Sequence, residues 1–323
     1  MGTTSLQVRV SPRTHFDQCI ELFYTHCRAL NYSPRTIDEF YRNEFRAFRR
    51  YLDEHHPDIA VGAITATLIR DFLSQRQLTR SSVTARHSWQ VLSVWFKFLY
   101  AEGLLDSNPM EGVGKPKVRN VVMKTYAAGQ VEALLASCDR KTFTGARDFA
   151  LMLLLCDTGL RVSELTGLRI EDLDPGERII TVTMAKGNKQ RQVPYGESTA
   201  RALRQYLAKC AGVTNQPAVF INCYGEPLDR RYVLDIVKRH GEKAGLSRDQ
   251  CGCHTFRRFF AVQFLRNGGD VFALQKMLGH TTLDMTRKYA ELAQSDVVAK
   301  HRAFGPADRL NLPQPTSGRK RLR

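Results

Sequence analysis

The sequence predicts a mainly α-helical protein of two domains, an N-terminal helical bundle followed by a mixed domain with one small β-hairpin or sheet. Three observations lead there. The chain has 323 residues, a length that suits two domains better than one. Apolar residues recur at helical spacing through nearly all of it. Only one stretch, from Ile179 to Tyr195, carries β-rich residues, turn chemistry and then two-residue alternation. Hydrophobic residues make up 43% and charged residues 25%, which excludes a disordered, collagenous or fibrous chain.

The first domain is expected over residues 1–113. His15 to Leu30 places Phe16, Cys19, Ile20, Phe23 and Cys27 on one helical face. Ser33-Pro34 then restarts the chain, with Ser33 as N-cap and Pro34 in the first helical position. The next helix sets Ile37, Phe40, Tyr41, Phe45, Phe48 and Leu52 on one face. Its other face carries Arg35, Arg42, Arg46, Arg49 and Arg50, either a solvated row or a set of phosphate contacts. A third helix follows Thr65-Ala66-Thr67, a fourth runs from about Ser82 to Tyr100, and Pro109 closes the bundle. Residues 114–125 read as a basic linker.

The second domain is expected over 126–304. Helices are expected at 129–137, 144–157, 162–168, 197–209, 229–244, 255–267, 271–278 and 283–291. A β-hairpin around Lys186-Gly187-Asn188-Lys189 should separate the third from the fourth. Gly268 and Gly279 stand where helix C-caps belong. An amphipathic stretch over 295–304 and a basic flexible tail, 305–323, complete the chain. There is no internal repeat.

The formal charge is +16, from 48 Lys and Arg against 32 Asp and Glu. The first 113 residues hold 13 of the basic and 12 of the acidic groups, so nearly all of the surplus lies beyond them. Such a concentration points to a polyanionic partner, with nucleic acid first. The apolar run Phe149 to Cys156 is far shorter than the ~20 residues of a membrane helix, so no membrane role is expected. The N-terminus shows no apolar signal region, and eight cysteines without an export signal read as reduced thiols in the cytoplasm. No Walker loop, dinucleotide-binding glycine pattern or paired metal-binding carboxylates stand out, so neither cofactor nor metal is expected. Asp172 and Asp174 read as turn residues. Cys251 and Cys253 before His254 lack the second pair that a zinc site needs.

Several polar residues fall at helix ends and at the hairpin rather than in element interiors. Thr158-Gly159-Leu160-Arg161 places an arginine just after a glycine turn, with Glu164 one helical turn on to orient it. Lys186 sits at the hairpin. His254 and Arg257 share a helical face at i,i+3. His280 follows Leu278-Gly279, and Tyr289 comes nine residues later. Taken singly, each is an ordinary structural residue: a core tyrosine, an ion-paired arginine, a hairpin lysine.

TGLRVSEL, AKGNKQRQVP, HTFRR and LGHTTLDMTRKY, in that order and at those spacings, resemble the tyrosine site-specific recombinase family, which includes phage integrases, Xer-type recombinases and transposon enzymes. The resemblance covers nearly the whole chain. The NYSPRTIDEFYRNEFRAFRRYL run is similar to the family's core-binding, SAM-like DNA-binding domain. The resemblance implies a catalytic domain and a core-binding domain forming a C-shaped clamp on double-stranded DNA at specific recombination sites. It implies that Tyr289 is the nucleophile of a 3′-phosphotyrosyl link, and that Arg161 and Arg257 are the arginine pair on the phosphate. Lys186 would be the acid for the 5′-hydroxyl, His254 the residue that exchanges a proton with the tyrosine, and His280 the phosphate-binding His/Trp position.

That set matches physical need. Metal-free phosphodiester transfer requires a nucleophile, charge stabilisation on the nonbridging oxygens and an acid for the leaving oxygen. A free tyrosine titrates near pH 10 and needs a base or a strongly positive site. The resemblance further implies a homotetramer working through a Holliday junction, with segment 293–304 docking on a neighbour, in a nucleoid-associated cytoplasmic protein. Integration or transposition of a mobile element is the first task expected, and Xer-like dimer resolution the alternative. Arg230, Arg231, Lys238 and Arg239 mark the 229–244 helix for the major groove. About 13 residues precede the first helix, so no additional arm-binding domain is expected. A DNA-binding protein of this fold without chemistry, and a topoisomerase of the same chemistry without exchange, are the competing classes.

Overall fold

The computed structural model describes residues 12–118, 125–183, 190–211, 216–293, 301, 302, 305–307 and 310. It divides into two compact units, Met1–Val121 and Val122–Arg323.

The first unit is built from α1 (Pro12–Ala29), α2 (Arg42–His55), α3 (Ala66–Thr79) and α4 (Ser82–Ala101). Three starts have a local cause. Ser33 Oγ accepts from Thr36 N, Thr65 Oγ1 from Leu68 N and Ser81 Oγ from Thr84 N, each satisfying an N–H that the helix cannot. The helix expected after Ser33 begins there, with Pro34 and Arg35 helical, and widens into a π-helical stretch, Thr36–Tyr41, before α2 takes over. The widened turn keeps both Ile37 and Tyr41 buried.

The aromatic residues of the pattern meet in one core. Phe45 and Phe16 both lie edge-on to Trp95, at ring separations of 5.2 and 5.3 Å. Each fully buried side chain of this size contributes roughly 1.5–3 kcal/mol. Glu44 ties three helices together, accepting from Arg76 Nη2 at 2.9 Å and from Ser88 Oγ at 2.6 Å.

In the second unit α5 (Ala128–Ala136), α6 (Phe143–Thr158) and α7 (Val162–Thr166) precede a three-stranded antiparallel sheet. Its strands are β1 (Leu173–Asp174), β2 (Ile179–Thr183) and β3 (Gln190–Pro194). The β2–β3 hairpin is the one expected. The third strand, β1, pairs Leu173 with Ile180 and was not expected, because two residues are too short to show alternation. Asp174 also makes a turn, its Oδ1 accepting from Gly176 N and Glu177 N.

Helices α8 (Glu197–Cys210), α9 (Arg230–Lys243), α10 (Cys253–Arg266), α11 (Val271–Leu278) and α12 (Leu283–Ala293) follow. The apolar α6 lies at the centre, with Ala150, Leu151, Met152, Leu154 and Leu155 all buried, packed on α8 and α10. Its neighbour α9 is fastened to it by a buried polar cluster. Asp148 of α6 receives Arg147, Arg239 and His240, at 2.8, 2.7 and 3.0 Å. A smaller apolar cluster joins α10, α11 and α12 through Phe260, Leu265, Leu274, Leu278 and Ala293. Among the described residues no helix is long and apolar enough to cross a membrane.

Candidate active site

Two helix ends create the site. Helix α6 stops at Gly159, which takes the left-handed conformation with φ 62°. A Cβ there would sit 2.5 Å from the Phe260 ring, so only glycine fits both the angle and the space. Helix α11 stops the same way at Gly279, φ 63°, where a Cβ would lie 3.1 Å from the Arg191 guanidinium. Both ends present backbone carbonyls to arginines, and the negative ends of helix dipoles favour cations there.

Arg257, on the first turns of α10, is buried and reaches both ends. Its Nη1 donates to Gly159 O at 2.8 Å and its Nη2 to Leu278 O at 2.7 Å. Arg161, just before α7, sends Nη1 to Glu164 Oε1 at 2.9 Å and to the same Leu278 O at 3.4 Å. Glu164 orients it as expected and also accepts from the Arg161 backbone N–H at 2.8 Å. A third arginine joins them. Arg191 of β3 forks onto both Glu164 oxygens at 2.9 and 2.8 Å and donates Nε to Met277 O at 2.8 Å.

Burial works to raise the Glu164 carboxyl, but hydrogen bonds from Arg191 and from the Arg161 backbone outweigh it and hold the group below the usual range. Burial, then repulsion from Arg161, brings Arg257 down to about 10, so it remains charged at neutral pH. Two guanidiniums thus share one carboxylate and the third is held by backbone carbonyls alone, a surplus of positive charge suited to an anion.

His280 follows Gly279. Its Nε2 lies 3.0 Å from Arg257 Nη2, and its Nδ1 lies 2.8 Å from Thr286 Oγ1. Burial first, then Arg257, Arg161 and Arg191, push the imidazole down to about 4, so it is neutral at pH 7. The Tyr289 ring is stacked on it at 6.0 Å with an interplanar angle of 15°. His254 begins α10, exposed, and is shifted down by desolvation and by Arg257, Arg258 and Arg161. An imidazole held neutral in a cationic setting is fit to accept a proton. An open cavity of ≈580 Å³ beside Arg161 is lined by Ser163, Glu164, Arg169, Thr181 and Thr183.

Of the six expected residues, Arg257, His280 and Tyr289 are linked by direct contacts, Arg161 shares the Leu278 carbonyl with Arg257, and His254 lies one helical turn from Arg257. Lys186 lies outside the described residues. So do the linker positions 119–124, most of segment 293–304 and most of the tail. Two site residues escaped the sequence reading, Arg191 and Thr286. A charged residue on the same strand face as buried Val193 was the available signal for Arg191. Thr286 offered none beyond its place three residues before Tyr289. Among the described residues no group of three or more His, Cys, Asp or Glu side chains is placed to share a metal ion.

The expected DNA-contact residues lie in less uniform settings. Arg35 and Arg42 pair with Glu39 and Asp38 of their own helical turns, at 2.8 and 2.9 Å. Arg46 is exposed, with no ion pair among the described residues. Arg230 and Arg231 are exposed at the start of α9 and Lys238 is half-buried further along it, whereas Arg239 is committed to Asp148.

Residues 124–296 match the phage integrase family. The tyrosine recombinase XerC of Thermodesulfovibrio yellowstonii is 32% identical over 257 residues, 76% of this chain and 85% of that protein. The tyrosine recombinase XerD of Lacticaseibacillus casei is 32% identical over 243 residues, 74% of this chain and 82% of that one. Among solved structures, a lambda integrase dimer bound to a COC' core site shares the fold at a TM-score of 0.70 and 20% identity, over 87% of this chain and 77% of that one. The chain belongs to the phage integrase family and is a tyrosine recombinase, an enzyme of DNA strand cleavage and religation.

Proposed function

We propose that the protein exchanges DNA strands at specific sites through a covalent 3′-phosphotyrosyl intermediate on Tyr289, without metal or ATP. The observation that carries this reading is the surplus of guanidinium charge from Arg161, Arg191 and Arg257 over the single carboxylate of Glu164, with the Tyr289 ring against His280 at its edge. Arg161 and Arg257 bind the nonbridging oxygens of the scissile phosphate and gain most as charge builds there. His254 takes the tyrosine proton, His280 completes the phosphate site, and Lys186 protonates the departing 5′-oxygen. The phosphotyrosine conserves the bond energy, so rejoining needs no nucleotide.

The N-terminal unit acts in this reading as the core-binding domain, joined by the basic linker to the catalytic unit. Arg46, with no carboxylate partner among the described residues, is its best phosphate contact, and Arg230 and Arg231 lead α9 to the groove. Four protomers exchange strands in pairs through a Holliday junction, with segment 293–304 linking neighbours, in the cytoplasm on the nucleoid. For the biological task, integration or transposition of a mobile element stands beside a Xer-type role. The Xer-type role is favoured by the names of the relatives that share about a third of its residues.

The test is to trap the intermediate on nicked suicide duplexes drawn from DNA flanking the gene, in EDTA. A denaturing gel should show a protein–DNA adduct that Tyr289→Phe abolishes. An adduct that survives in the variant would overturn the assignment. Tight, specific binding without any adduct would favour a DNA-binding role without chemistry.

A further inference from the structure

Thr286 is fully buried on α12, one helical turn before Tyr289 and on the same side of the helix. Valine would fill that volume without placing a hydroxyl in the interior. The hydroxyl has one hydrogen-bond partner among the described residues, His280 Nδ1 at 2.8 Å. The other ring nitrogen, Nε2, faces Arg257 Nη2 at 3.0 Å. A guanidinium has donors and no acceptor, so Nε2 must be the accepting nitrogen. The neutral ring's one proton is therefore on Nδ1, and Nδ1–H donates to Thr286 Oγ1. The groups around the imidazole are Arg257 from α10, Arg161 from before α7, Arg191 from β3, and Thr286 and Tyr289 from α12. Of these, Thr286 alone can hold Nδ1.

We infer that Thr286 is a positioning residue for strand cleavage: while Arg257 sets the tautomer of His280, the Thr286 hydroxyl fixes the plane of the ring and fastens it to the helix that carries Tyr289. The inference rests on the roles proposed above for His280 and Tyr289. A hydroxyl suits this place because it both accepts and donates. It accepts from Nδ1–H in the arrangement seen here. It can equally donate to a bare Nδ1 when Nε2–H turns to a phosphate oxygen. The ring thus keeps its anchor in either tautomer, which a carbonyl or an ammonium would not allow. Because the anchor lies on α12, any displacement of the tyrosine's helix is felt at the phosphate site.

The experiment compares wild type, Thr286→Val and Thr286→Ser in two measurements. In ¹H–¹⁵N spectra, the wild-type His280 ring should show the Nδ1–H tautomer with that proton slow to exchange with water, Thr286→Val should lose the slow exchange, and Thr286→Ser should keep it. In single-turnover cleavage of the suicide duplex, Thr286→Val should slow adduct formation about tenfold at unchanged DNA affinity, the worth of one orienting hydrogen bond, and Thr286→Ser should restore it. A wild-type ring whose Nδ1 proton exchanges freely with water would overturn the inference, and that result needs no variant to fold. So would a Thr286→Val enzyme that cleaves at the wild-type rate. A wild type that forms no Tyr289 adduct would overturn the functional reading and this role with it. An adduct that is indifferent to position 286 would remove this role alone.

Discussion

The arginine row of the N-terminal bundle and the arginine cluster of the candidate site are held in opposite ways. On the outer face of the N-terminal bundle Arg35 pairs with Glu39 and Arg42 with Asp38, and Arg46 alone of the three expected contacts has no ion pair among the described residues. In the second unit Arg161 and Arg191 share Glu164, while Arg257 is held by two backbone carbonyls. The first arrangement is neutral pair by pair and stands in water, where such pairs are worth little. The second is partly or wholly buried and carries more positive than negative charge. An arginine row in a sequence therefore says less than the count of carboxylates that fold in beside it.

The largest effect that could break this contrast is on cleavage. Arg257→Lys keeps a charge but not the planar fork, and single-turnover adduct formation should fall by about 10²-fold or more. Arg42→Ala should change that rate by less than about twofold. Equal losses would mean that ion pairing in the bundle does not mark its arginines as bystanders. Next in size is Glu164→Gln, which leaves Arg161 and Arg191 without their countercharge. Urea unfolding should show the second unit destabilised by about 3 kcal/mol.

Acid should act in the same direction through several groups. An unfolded histidine titrates near 6.5, while folded His280 is held to about 4 and His254 is also lowered. The unfolded chain thus binds more protons in that interval, and stability should rise with pH from about 4 to 6.5. Glu164 and Asp148, both depressed in the folded state, add to the loss as the pH falls further through their folded values. Unfolding midpoints flat between pH 4.5 and 6.5 would contradict the neutral, buried His280. Smallest are the bundle's own arginines. Arg46→Ala should lower the salt slope of DNA binding by about one, and Arg35→Ala should leave it unchanged and shift stability by under about 0.5 kcal/mol.

Most of the helices were legible because their cause is local. Ser33, Thr65 and Ser81 cap where capping residues are expected, and the apolar faces of α1 and α2 are the faces that meet Trp95. The site was legible as an ordered set of residues, since Gly159 and Gly279 announce the two turns that aim Arg161 and His280. What stayed hidden depends on partners distant in the chain. Arg191 is defined by Glu164, 27 residues away, and by Met277, 86 away. The strand β1 exists only as an extension of β2. The partner of the Thr286 hydroxyl lies across a turn whose path the spacing alone does not give.

The buried cluster around Asp148 has a geometric consequence. Through Arg239 and His240 it locks α9 to α6, and α6 ends two residues before Leu160 and three before Arg161. Helix α7 packs on α9 as well. In the function proposed above, with α9 on the duplex and Arg161 on the phosphate, this fastening sets a fixed offset between the two. The unit would then act as a ruler, its core setting the number of base pairs between the sequence read and the bond cut.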